Sequence, residues 1–523
     1  MAPVIDLDLG SLPADVRALV EAERAARQAL EQQVAALSER NARLEHLVQE
    51  FQKALHGRSS EKLSADERQL AFEDLETAVA EAEVAQAAAV GPTSRALMPI
   101  RRNLGRLPQE LPRIERVVEP SSVLCPCGCG AMTRIGEDRS ERLDIVPAQF
   151  RVLVTIRPKY ACRICSGAVV QAPAPAHLIE GALPTEALVA HVLVSKYADH
   201  VPLYRQAQAY ARSGLDLHRA TLADWVGKAA FHLQPVVDRM AEHLKRSSKL
   251  FLDETTAPVL DPGRGKTKTG YLWALARDDR RWGGGDPPGV VYAYAPGRGT
   301  EHAEAVLRGF TGTLQVDGYA PYKALARRPR PEGPLVLAHC WAHGRRQLRE
   351  LFDRDGSAVA EEGLRRIAEL YAIEAELKGS APETRRAVRQ DRAKPLVEAF
   401  GGWLAGCRAR LSSKSRAGEK LAYFANHWDG LCVYLEDGRV EIDSNAVENT
   451  IRPIALGRKN ALFAGHDEGG RAWGRIASLI ETAKMNGVKP FAYLTATLEA
   501  LAHGHPQSRL DELLPWAFSS TSS

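Results

Sequence analysis

The stretch "KLFLDE", residues 249–254, begins the series of strands that defines the fold of this chain. Its apolar run ends at Asp253, and "GYLWALA" and "GVVYAYAP" follow as two further strands. We expect a helix over residues 300–309, and then a strand in "GTLQVDGYAPY" that ends at Asp317. The segment "LVLAHCWAHGRRQL" is a fifth strand that runs into a helix.

The order of three strands, helix, strand, helix, strand is typical of a ribonuclease-H-like mixed sheet in a multidomain α/β protein. In such a sheet the first and fourth strands are neighbours, so the carboxylates of Asp253 and Asp317 are expected to converge. This predicted core spans residues 248–480 and has room for a helical insertion at about 350–435. Residues 481–523 are predicted to be a C-terminal extension.

A third carboxylate comes from "VEIDSNAVENTIRPIALGRKN", residues 440–460, which begins like a strand and continues as a helix. Asp443 or Ser444 can cap that helix by accepting a hydrogen bond from a backbone N–H group. Polar residues at i, i+3, i+4 and i+7 share one face, and they are Asn445, Glu448, Asn449 and Arg452. A solvated face is the ordinary explanation, but two aspartates on neighbouring strands favour Glu448 as the third residue of a metal site.

The chemistry of phosphodiester cleavage explains why carboxylates suit such a site. The reaction needs an activated oxygen nucleophile, neutralisation of charge on a phosphorane-like transition state, and a stabilised leaving oxygen. Two Mg²⁺ (or Mn²⁺) ions about 4 Å apart supply all three, and they prefer carboxylate oxygens. Asp253, Asp317 and Glu448 are therefore predicted to be catalytic and to hold two metal ions per active site.

Residues 13–90 are predicted to form a coiled coil followed by a second helix. Two series recur every seven residues, Leu30, Leu37, Leu44 and Phe51 at d and Val34, Asn41, Val48 and Leu55 at a. An asparagine at an a position favours a parallel pair, so a dimer or higher multimer is expected. A single amphipathic helix is the alternative. Residues 91–120 are a basic linker, either a solvated tether or an arm that neutralises DNA phosphates.

Two cysteine clusters, "CPCGCG" and "YACRIC", lie in a predicted zinc-binding domain of residues 121–180. The candidate ligands, of which one of the first three is spare, are Cys125, Cys127, Cys129, Cys162 and Cys165. Four thiolates hold one tetrahedral structural Zn²⁺ and stabilise a domain too small for a large core. Short strands are expected between the clusters. Reduced structural cysteines are the alternative.

Residues 181–247 contain three helical patterns broken by Pro202 and Gly214, and the last two resemble a helix-turn-helix. Helices with a packing role alone fit this pattern equally well. The segment "GRGKTKTG", residues 263–270, lacks the spacing of a nucleotide-binding loop and is predicted to be a basic loop. In "CWAH", Cys340 and His343 can bind metal, and a packed strand end is just as consistent. The predicted DNA contacts are Lys266, Lys268, Trp341, His343, Arg345, Arg346, Asn445, Asn449, Arg452, Arg458 and Lys459.

Composition restricts the classes of protein to consider. The net charge of the 523 residues is only +4, so DNA binding must come from local basic clusters. The sequence contains no signal-like N-terminal segment and no apolar stretch of membrane-spanning length. We therefore expect a cytoplasmic protein without a membrane partner. The eight cysteines do not suggest a disulfide framework in such a chain.

Several motifs in order resemble those of the transposases of insertion-sequence family sixty-six, and they are "LDET", "VDGYAPY", "CWAHGRR", "EIDSNAVENTIRP", "LGRKNALFAG" and "SLIETAKMNGV". With "FQKALHGRSSEKLS" and "LVSKYADHVPLYRQ", the resemblance covers about residues 15–516. It implies a zipper, a zinc-binding segment and a DDE core with a ribonuclease-H-like fold, in which Asp253, Asp317 and Glu448 are the catalytic triad. It also implies companion proteins from the same element. The cysteine knuckle and two positions of the helix motif, Ser444 and Asn449, depart from the commoner form.

The sequence thus predicts a DNA transposase that cuts the ends of an insertion sequence and joins the freed 3′-OH to target DNA. A ribonuclease-H-fold nuclease, such as a junction resolvase, is one alternative, because it would cleave DNA without joining strands. An inactive relic that binds element ends is the other.

Overall fold

A computed structural model describes residues 150–161, 169–261 and 266–519. All of these belong to one unit of the chain, Gly91–Ser523. The predicted zipper, the basic linker and the five cysteines of the zinc site lie outside the described residues. The predictions for them therefore stay predictions.

A short hairpin and three helices precede the main sheet. Strands β1 and β2 pair antiparallel, and the helices follow at the predicted places, with bounds of Lys159–Ala161 for β1, Val169–Gln171 for β2, Glu186–Tyr197 for α1, Leu203–Arg212 for α2 and Arg219–Lys245 for α3. Of the short strands predicted between the cysteine clusters, β1 is observed, whereas residues 150–158 form neither helix nor strand. Alternation alone does not make a strand, because a strand needs hydrogen bonds from a neighbour.

The central sheet has five strands with helices between the last three. The elements are β3 (Lys249–Asp261), β4 (Lys266–Arg277), β5 (Gly289–Ala295), α4 (Thr300–Leu307), β6 (Gly312–Val316), α5 (Ala320–Ala326) and β7 (Leu335–His339). The spatial order is β5-β4-β3-β6-β7. The first three strands pair antiparallel, and β3, β6 and β7 pair parallel. The predicted element order and the adjacency of the first and fourth strands are confirmed.

The first strand is longer than the sequence predicted. β3 continues to Asp261, because β4 pairs with it antiparallel out to Asp261 opposite Lys266. Asp253 therefore lies inside the strand, and the prediction that the strand ends there was wrong. Lys266 and Lys268 likewise belong to β4 and not to a loop. Only the pairing of β3 with β6 ends close to Asp253.

Helix α6 (Trp341–Asp355) follows β7, as predicted, and leads into the helical insertion. The insertion consists of α7 (Ala358–Glu376), α8 (Pro382–Val388), a π-helical turn (Arg389–Ala393), α9 (Lys394–Arg410) and α10 (Arg416–Glu436). These helices share a core around Trp341, Phe400 and Phe424. An aromatic core of this kind gives the insertion its own buried apolar surface.

Three α-helices follow: α11 (Asn445–Ala461), α12 (Asp467–Met485) and α13 (Pro490–Ala502), and two 3₁₀ helices (Gln507–Leu513 and Pro515–Ala517) come after them. Directly after α11, Ala464 pairs with the outer end of β3, since its N–H donates to Pro258 O at 2.9 Å and its carbonyl accepts from Leu260 N at 2.8 Å. Helix α11 is therefore attached to β3 at its far end. In the described part of the chain, every helix is too short or too polar to span a membrane.

Helices cover both faces of the sheet. Alternate residues of β3 point to opposite faces. Leu250 and Leu252 pack in the core shared with α1, α3 and α12, whereas Phe251 and Ala257 pack under α11. A carboxylate on the Phe251 face therefore lies under α11.

Helix α12 closes the β5 edge of the sheet. The hydroxyl oxygens of Ser478 and Thr482 accept hydrogen bonds from Tyr292 N at 2.8 Å and Val290 N at 3.0 Å. A Cβ on Gly474 would lie 2.6 Å from Tyr292 O, so the close approach requires glycine there. Helix α12 thus supplies hydrogen-bond acceptors for N–H groups of the edge strand β5 that would otherwise be exposed.

Candidate active site

Asp253 and Asp317 lie next to each other where β3 and β6 separate. The parallel pairing ends with Phe251 opposite Gln315. Each aspartate follows its paired residue by two positions, so both strands carry a carboxylate at the same level. Because side chains alternate, Asp253 is on the Phe251 face, under α11. The convergence predicted from the strand order is therefore observed.

Backbone N–H groups orient both carboxylates. Glu254 N donates to Oδ1 of Asp253 at 2.8 Å. Tyr319 N donates to Oδ1 of Asp317 at 2.8 Å. One oxygen of each aspartate is thus held by a backbone N–H group.

Helix α11 brings Glu448 to the same face of the sheet. Val447 and Ile451 pack with Phe251 in the core beneath the helix. Glu448 is only 6% exposed, although it is charged. The four polar residues of α11 do not share one environment, since Asn449 is exposed while Glu448 is buried.

The start of α11 is built from two side chains with different roles. Ser444 occupies the N-cap position, but Oδ1 of Asp443 is the side-chain atom that accepts from a helix N–H group, that of Asn445, at 3.2 Å. The Ser444 hydroxyl instead donates to Oε1 of Glu448 at 2.9 Å. The Ser444 side chain thus orients the glutamate and makes no capping hydrogen bond.

The charges of the acidic residues act on one another. Burial raises the pKa of Asp253 well above its usual value, and the negative charges of Asp317, Glu254 and Glu448 raise it further. Such a cluster favours either a proton or a cation. Carboxylate oxygens are the ligands that Mg²⁺ prefers, so the three predicted residues can hold a divalent metal.

Side chains from the start of α6 surround Glu448. His343 Nδ1 lies 3.7 Å from Oε1 of Glu448, and Arg346 Nη2 lies 3.8 Å from Oε2. The ligating atoms of Cys340, His343 and Glu448 all lie within 4.8 Å of one another. Two of the predicted DNA contacts, His343 and Arg346, therefore face the glutamate.

Gln315 connects β6 to the segment before α11. Its side chain is buried, with 1% of the residue exposed. Nε2 donates to Glu441 O at 3.0 Å and Asp443 O at 3.3 Å, and Oε1 accepts from Glu441 N at 2.9 Å. The amide therefore fixes the segment that leads to Glu448 against the strand that leads to Asp317.

One buried ion pair attaches the insertion to the same segment, and a second lies within the insertion. Arg385 of α8 binds both oxygens of Glu441, at 3.1 and 2.9 Å. Arg389 of the π-helical turn binds both oxygens of Glu374, at 2.7 and 2.6 Å. Burial raises the pKa of Asp443 to about 6 although Arg281 lies 3.7 Å away.

Helix α10 contacts the turn after Asp317. His427 Nε2 lies 3.0 Å from Gly318 O, and the Tyr423 hydroxyl lies 3.0 Å from Asp317 O and 2.8 Å from Cys340 O. Gly318 has a φ of +108°, and a Cβ there would lie 2.7 Å from His427 Nε2. This turn therefore requires glycine both for its backbone and for the close contact.

Trp341 is a correction to the predicted DNA contacts. It is fully buried in the core of the insertion, and its indole N–H donates to Leu431 O at 2.9 Å. The sequence predicted that Trp341 contacts DNA. The insertion covers this position, so that prediction was wrong.

The other predicted DNA contacts differ in exposure and in their partners. Lys268 pairs with Asp467 at 2.9 Å, and Arg458 donates to Thr256 O at 2.8 Å. Asn449 and the basic residues Lys266 and Lys459 are exposed, whereas partly buried positions hold Arg345, Asn445 and Arg452.

Sequence reasoning missed Glu254 and Gln315. Glu254 has no exposed side-chain surface; it pairs with Arg298 and accepts from the Tyr322 hydroxyl at 2.5 Å. Burial raises the pKa of Glu254 as well. The sequence feature that could have identified Glu254 is a second acidic residue directly after Asp253 in an apolar strand. Gln315 could not be identified in this way, because it is only a polar residue in the alternating pattern of a strand.

Family models match most of the chain. The model described as Transposase IS66 family matches residues 181–472, and the IS66 C-terminal element matches residues 478–516. The zinc-finger binding domain of transposase IS66 matches residues 124–166. The model described as Transposase C of IS166 homeodomain matches residues 43–116.

Relatives in Sinorhizobium fredii (strain NBRC 101917 / NGR234) are similar over almost their full length. Uncharacterized protein y4qI is 41% identical over 99% of this chain and 98% of its own length. Uncharacterized protein y4jD is 42% identical over 89% of this chain and 92% of its own length. Uncharacterized protein y4hP is 36% identical over 90% and 88%.

Proposed function

Because the chain belongs to the IS66 family of transposases, we propose that it cuts DNA at the ends of an insertion sequence and joins the freed 3′-OH to target DNA. The convergence of Asp253, Asp317 and Glu448 at one face of the mixed sheet carries this proposal. These are the carboxylates that phosphoryl transfer by a metal pair requires.

The donor set fits a pair of Mg²⁺ or Mn²⁺ ions, and a DDE domain implies a divalent metal. The raised pKa of Asp253 supports this fit, because a cation would relieve the repulsion that burial intensifies. When bound, the ions would activate an attacking oxygen and neutralise charge at the scissile phosphate. Asp253 and Asp317, on adjacent strands, would face both ions. Glu448, oriented by Ser444, would hold one.

The fold proposal is a ribonuclease-H-like core over residues 248–480. The order β5-β4-β3-β6-β7, with an antiparallel half and a parallel half, supports it. The insertion at about 350–435 and the extension at 481–523 are proposed boundaries. The helices of residues 181–247 are proposed to contact DNA as a helix-turn-helix-like segment.

Around the carboxylates, polar and basic side chains are proposed to position DNA. Asn449, Lys459 and Lys266 are exposed and can reach phosphates. His343 and Arg346 lie against Glu448, so they are proposed to contact the strand that is cut. Trp341 is excluded from this set because it is buried.

The N-terminal parts are proposed to hold zinc and to multimerise. The zinc-finger match over residues 124–166 supports one structural Zn²⁺ on four of the five cysteines. Elemental analysis of protein prepared without added zinc should find about one zinc per chain, and a zinc-free preparation would refute the site. The coiled coil predicts a multimer, which light scattering should detect in the parent chain and not in Leu37→Pro.

The activity is tested with purified protein, labelled DNA that carries the ends of its own element, a target plasmid and Mg²⁺. Asp317→Asn should bind the ends, measured by gel shift, but should neither cut nor join. Asp391→Asn, at an exposed aspartate of the π-helical turn, is the matched control and should behave as the parent chain.

Each outcome of that assay has a distinct meaning. Joined product from the parent chain supports the transposase. Cleavage without joining would indicate a nuclease such as a resolvase. End binding without cleavage, even after companion proteins of the element are added, would indicate a relic.

A further inference from the structure

A soft-ligand cluster lies beside the three carboxylates. Cys340 directly precedes α6, His343 is in its first turn, and Glu448 is on α11. Their ligating atoms lie within 4.8 Å of one another. The insertion separates the two helices in sequence, so the fold brings these ligands together.

Two of the three ligating atoms, Sγ of Cys340 and Nδ1 of His343, are in buried positions and have few hydrogen bonds to the protein. Sγ of Cys340 accepts one hydrogen bond, from Ser444 N at 3.3 Å. Nδ1 of His343 is buried and has no hydrogen-bond partner among the described residues. Buried polar atoms ordinarily have partners, so an unpartnered nitrogen 3.7 Å from a carboxylate oxygen is available as a metal ligand.

We propose that Cys340, His343 and Glu448 form a second metal site that binds a soft divalent ion of the Zn²⁺ type. A sulfur, an imidazole nitrogen and a carboxylate oxygen are a donor set for zinc, and Mg²⁺ does not use thiolates. Tetrahedral zinc with ordinary bond lengths places its ligands about 3.4–3.6 Å apart. The His343–Glu448 distance of 3.7 Å is already close to this, and the rest of the cluster must contract by about an ångström.

Binding replaces the thiol proton of Cys340, which leaves to water, by a sulfur–metal bond. Glu448 would then be a ligand of the soft ion and would hold the proposed Mg²⁺ pair less well. The two metal states compete because they share this one carboxylate. Zinc is therefore an inhibitor of the magnesium-dependent reaction; this consequence rests on the proposed function, whereas the binding site does not.

Metal counting tests the site without any activity. Full-length protein is equilibrated with excess Zn²⁺, desalted and analysed for zinc per chain. The parent chain should carry one more zinc ion than Cys340→Ser and than His343→Ala. Cys407→Ser is the matched control, since Cys407 is also a buried free cysteine but lies in the core of the insertion. It should match the parent chain.

Cobalt gives an independent spectroscopic readout. With Co²⁺, the parent chain and Cys407→Ser should show more sulfur-to-metal charge-transfer absorption than Cys340→Ser. Equal zinc content and equal cobalt spectra in all four proteins would overturn the proposal. Far-ultraviolet circular dichroism checks that each variant is folded, and His343→Ala keeps the test valid if the cysteine variant is not.

The inhibitory role is measured as the Zn²⁺ concentration that halves Mg²⁺-supported cleavage, with each variant compared with its own rate without zinc. This inhibitory Zn²⁺ concentration should rise about tenfold or more in Cys340→Ser and stay unchanged in Cys407→Ser. A site that binds zinc in a protein without cleavage activity would refute the proposed function alone. Cleavage that zinc inhibits equally in every variant would refute inhibition through this site.

Discussion

Replacement of Gln315 by leucine tests whether one buried amide sets the position of Glu448 relative to Asp317. The substitution removes three hydrogen bonds and leaves Glu441 N, Glu441 O and Asp443 O without this partner. A buried polar group that loses its partner costs about 1–3 kcal/mol. Leucine adds favourable apolar burial, so we expect a net loss of stability of roughly 3–5 kcal/mol.

The assay separates positioning from stability by means of a matched control. Gln206 of α2 is also buried, at 2% exposed, and also makes three side-chain hydrogen bonds. Gln206→Leu should therefore lower the midpoint of thermal unfolding much as Gln315→Leu does. At a temperature where both variants are folded, and at a DNA concentration that saturates both, only Gln315→Leu should need more Mg²⁺ for half-maximal rate.

The magnesium requirement is the decisive quantity, because a structural defect alone does not change it in the folded fraction. Gln315→Leu acts on the segment that leads to Glu448, so the carboxylates would no longer meet at the spacing that two ions need. If both variants show the same rate per folded molecule and the same magnesium requirement, the positioning role of Gln315 is refuted.

Three further predictions concern the same region. Asp253→Asn should abolish cleavage and raise the unfolding temperature of magnesium-free protein, because it removes one of several crowded carboxylates, and Mg²⁺ should stabilise the parent chain more than the variant; an unchanged or lower temperature would contradict this. The folded pKa of Asp443, about 6, exceeds the usual value, so its carboxyl binds more protons in the folded state and its contribution to stability falls as pH rises from about 4 to about 6. Relative to Asp443→Asn, the free energy of unfolding of the parent chain should fall by roughly 2–3 kcal/mol over that range, as measured by unfolding at each pH. A difference between the two proteins that does not change with pH would be inconsistent with a buried charge. Gly318→Ala should destabilise the protein by about 1–3 kcal/mol and slow cleavage, and recovery of most of that loss on adding His427→Ala would attribute it to the contact and not to the backbone.

The sequence predicted those parts of the fold that depend on local patterns. Asp317 follows β6 because a short apolar run ends there, and the order of strands and helices followed from periodicity. Helix α11 and its Asp443 cap followed from residues within one turn of each other. Asp253 and Asp317 could be predicted to lie together because this order makes their strands neighbours in the sheet.

The remaining features depend on contacts between distant segments. The end of β3 could not be predicted, because β4 alone extends the pairing beyond Asp253. From the sequence, Trp341 could be an exposed aromatic residue, but the insertion covers it in the structure. Glu254 could likewise be a surface acid, but Arg298 and Tyr322 enclose it. No local pattern shows that a residue will be covered by a segment far away in the chain.

The attachment of α11 at both ends makes it behave as a beam with two supports. Its start is held by Gln315 and its end by the pairing of Ala464 with β3. The 17 residues of the helix span about 25 Å, and Glu448 lies about 4.5 Å from the first support. If the far support yields, the helix pivots about its start, and Glu448 moves by only about a fifth of the displacement at the far end. If the near support yields, Glu448 moves by about four fifths of it, so the leverage on the carboxylate is concentrated at the end where Gln315 holds the helix.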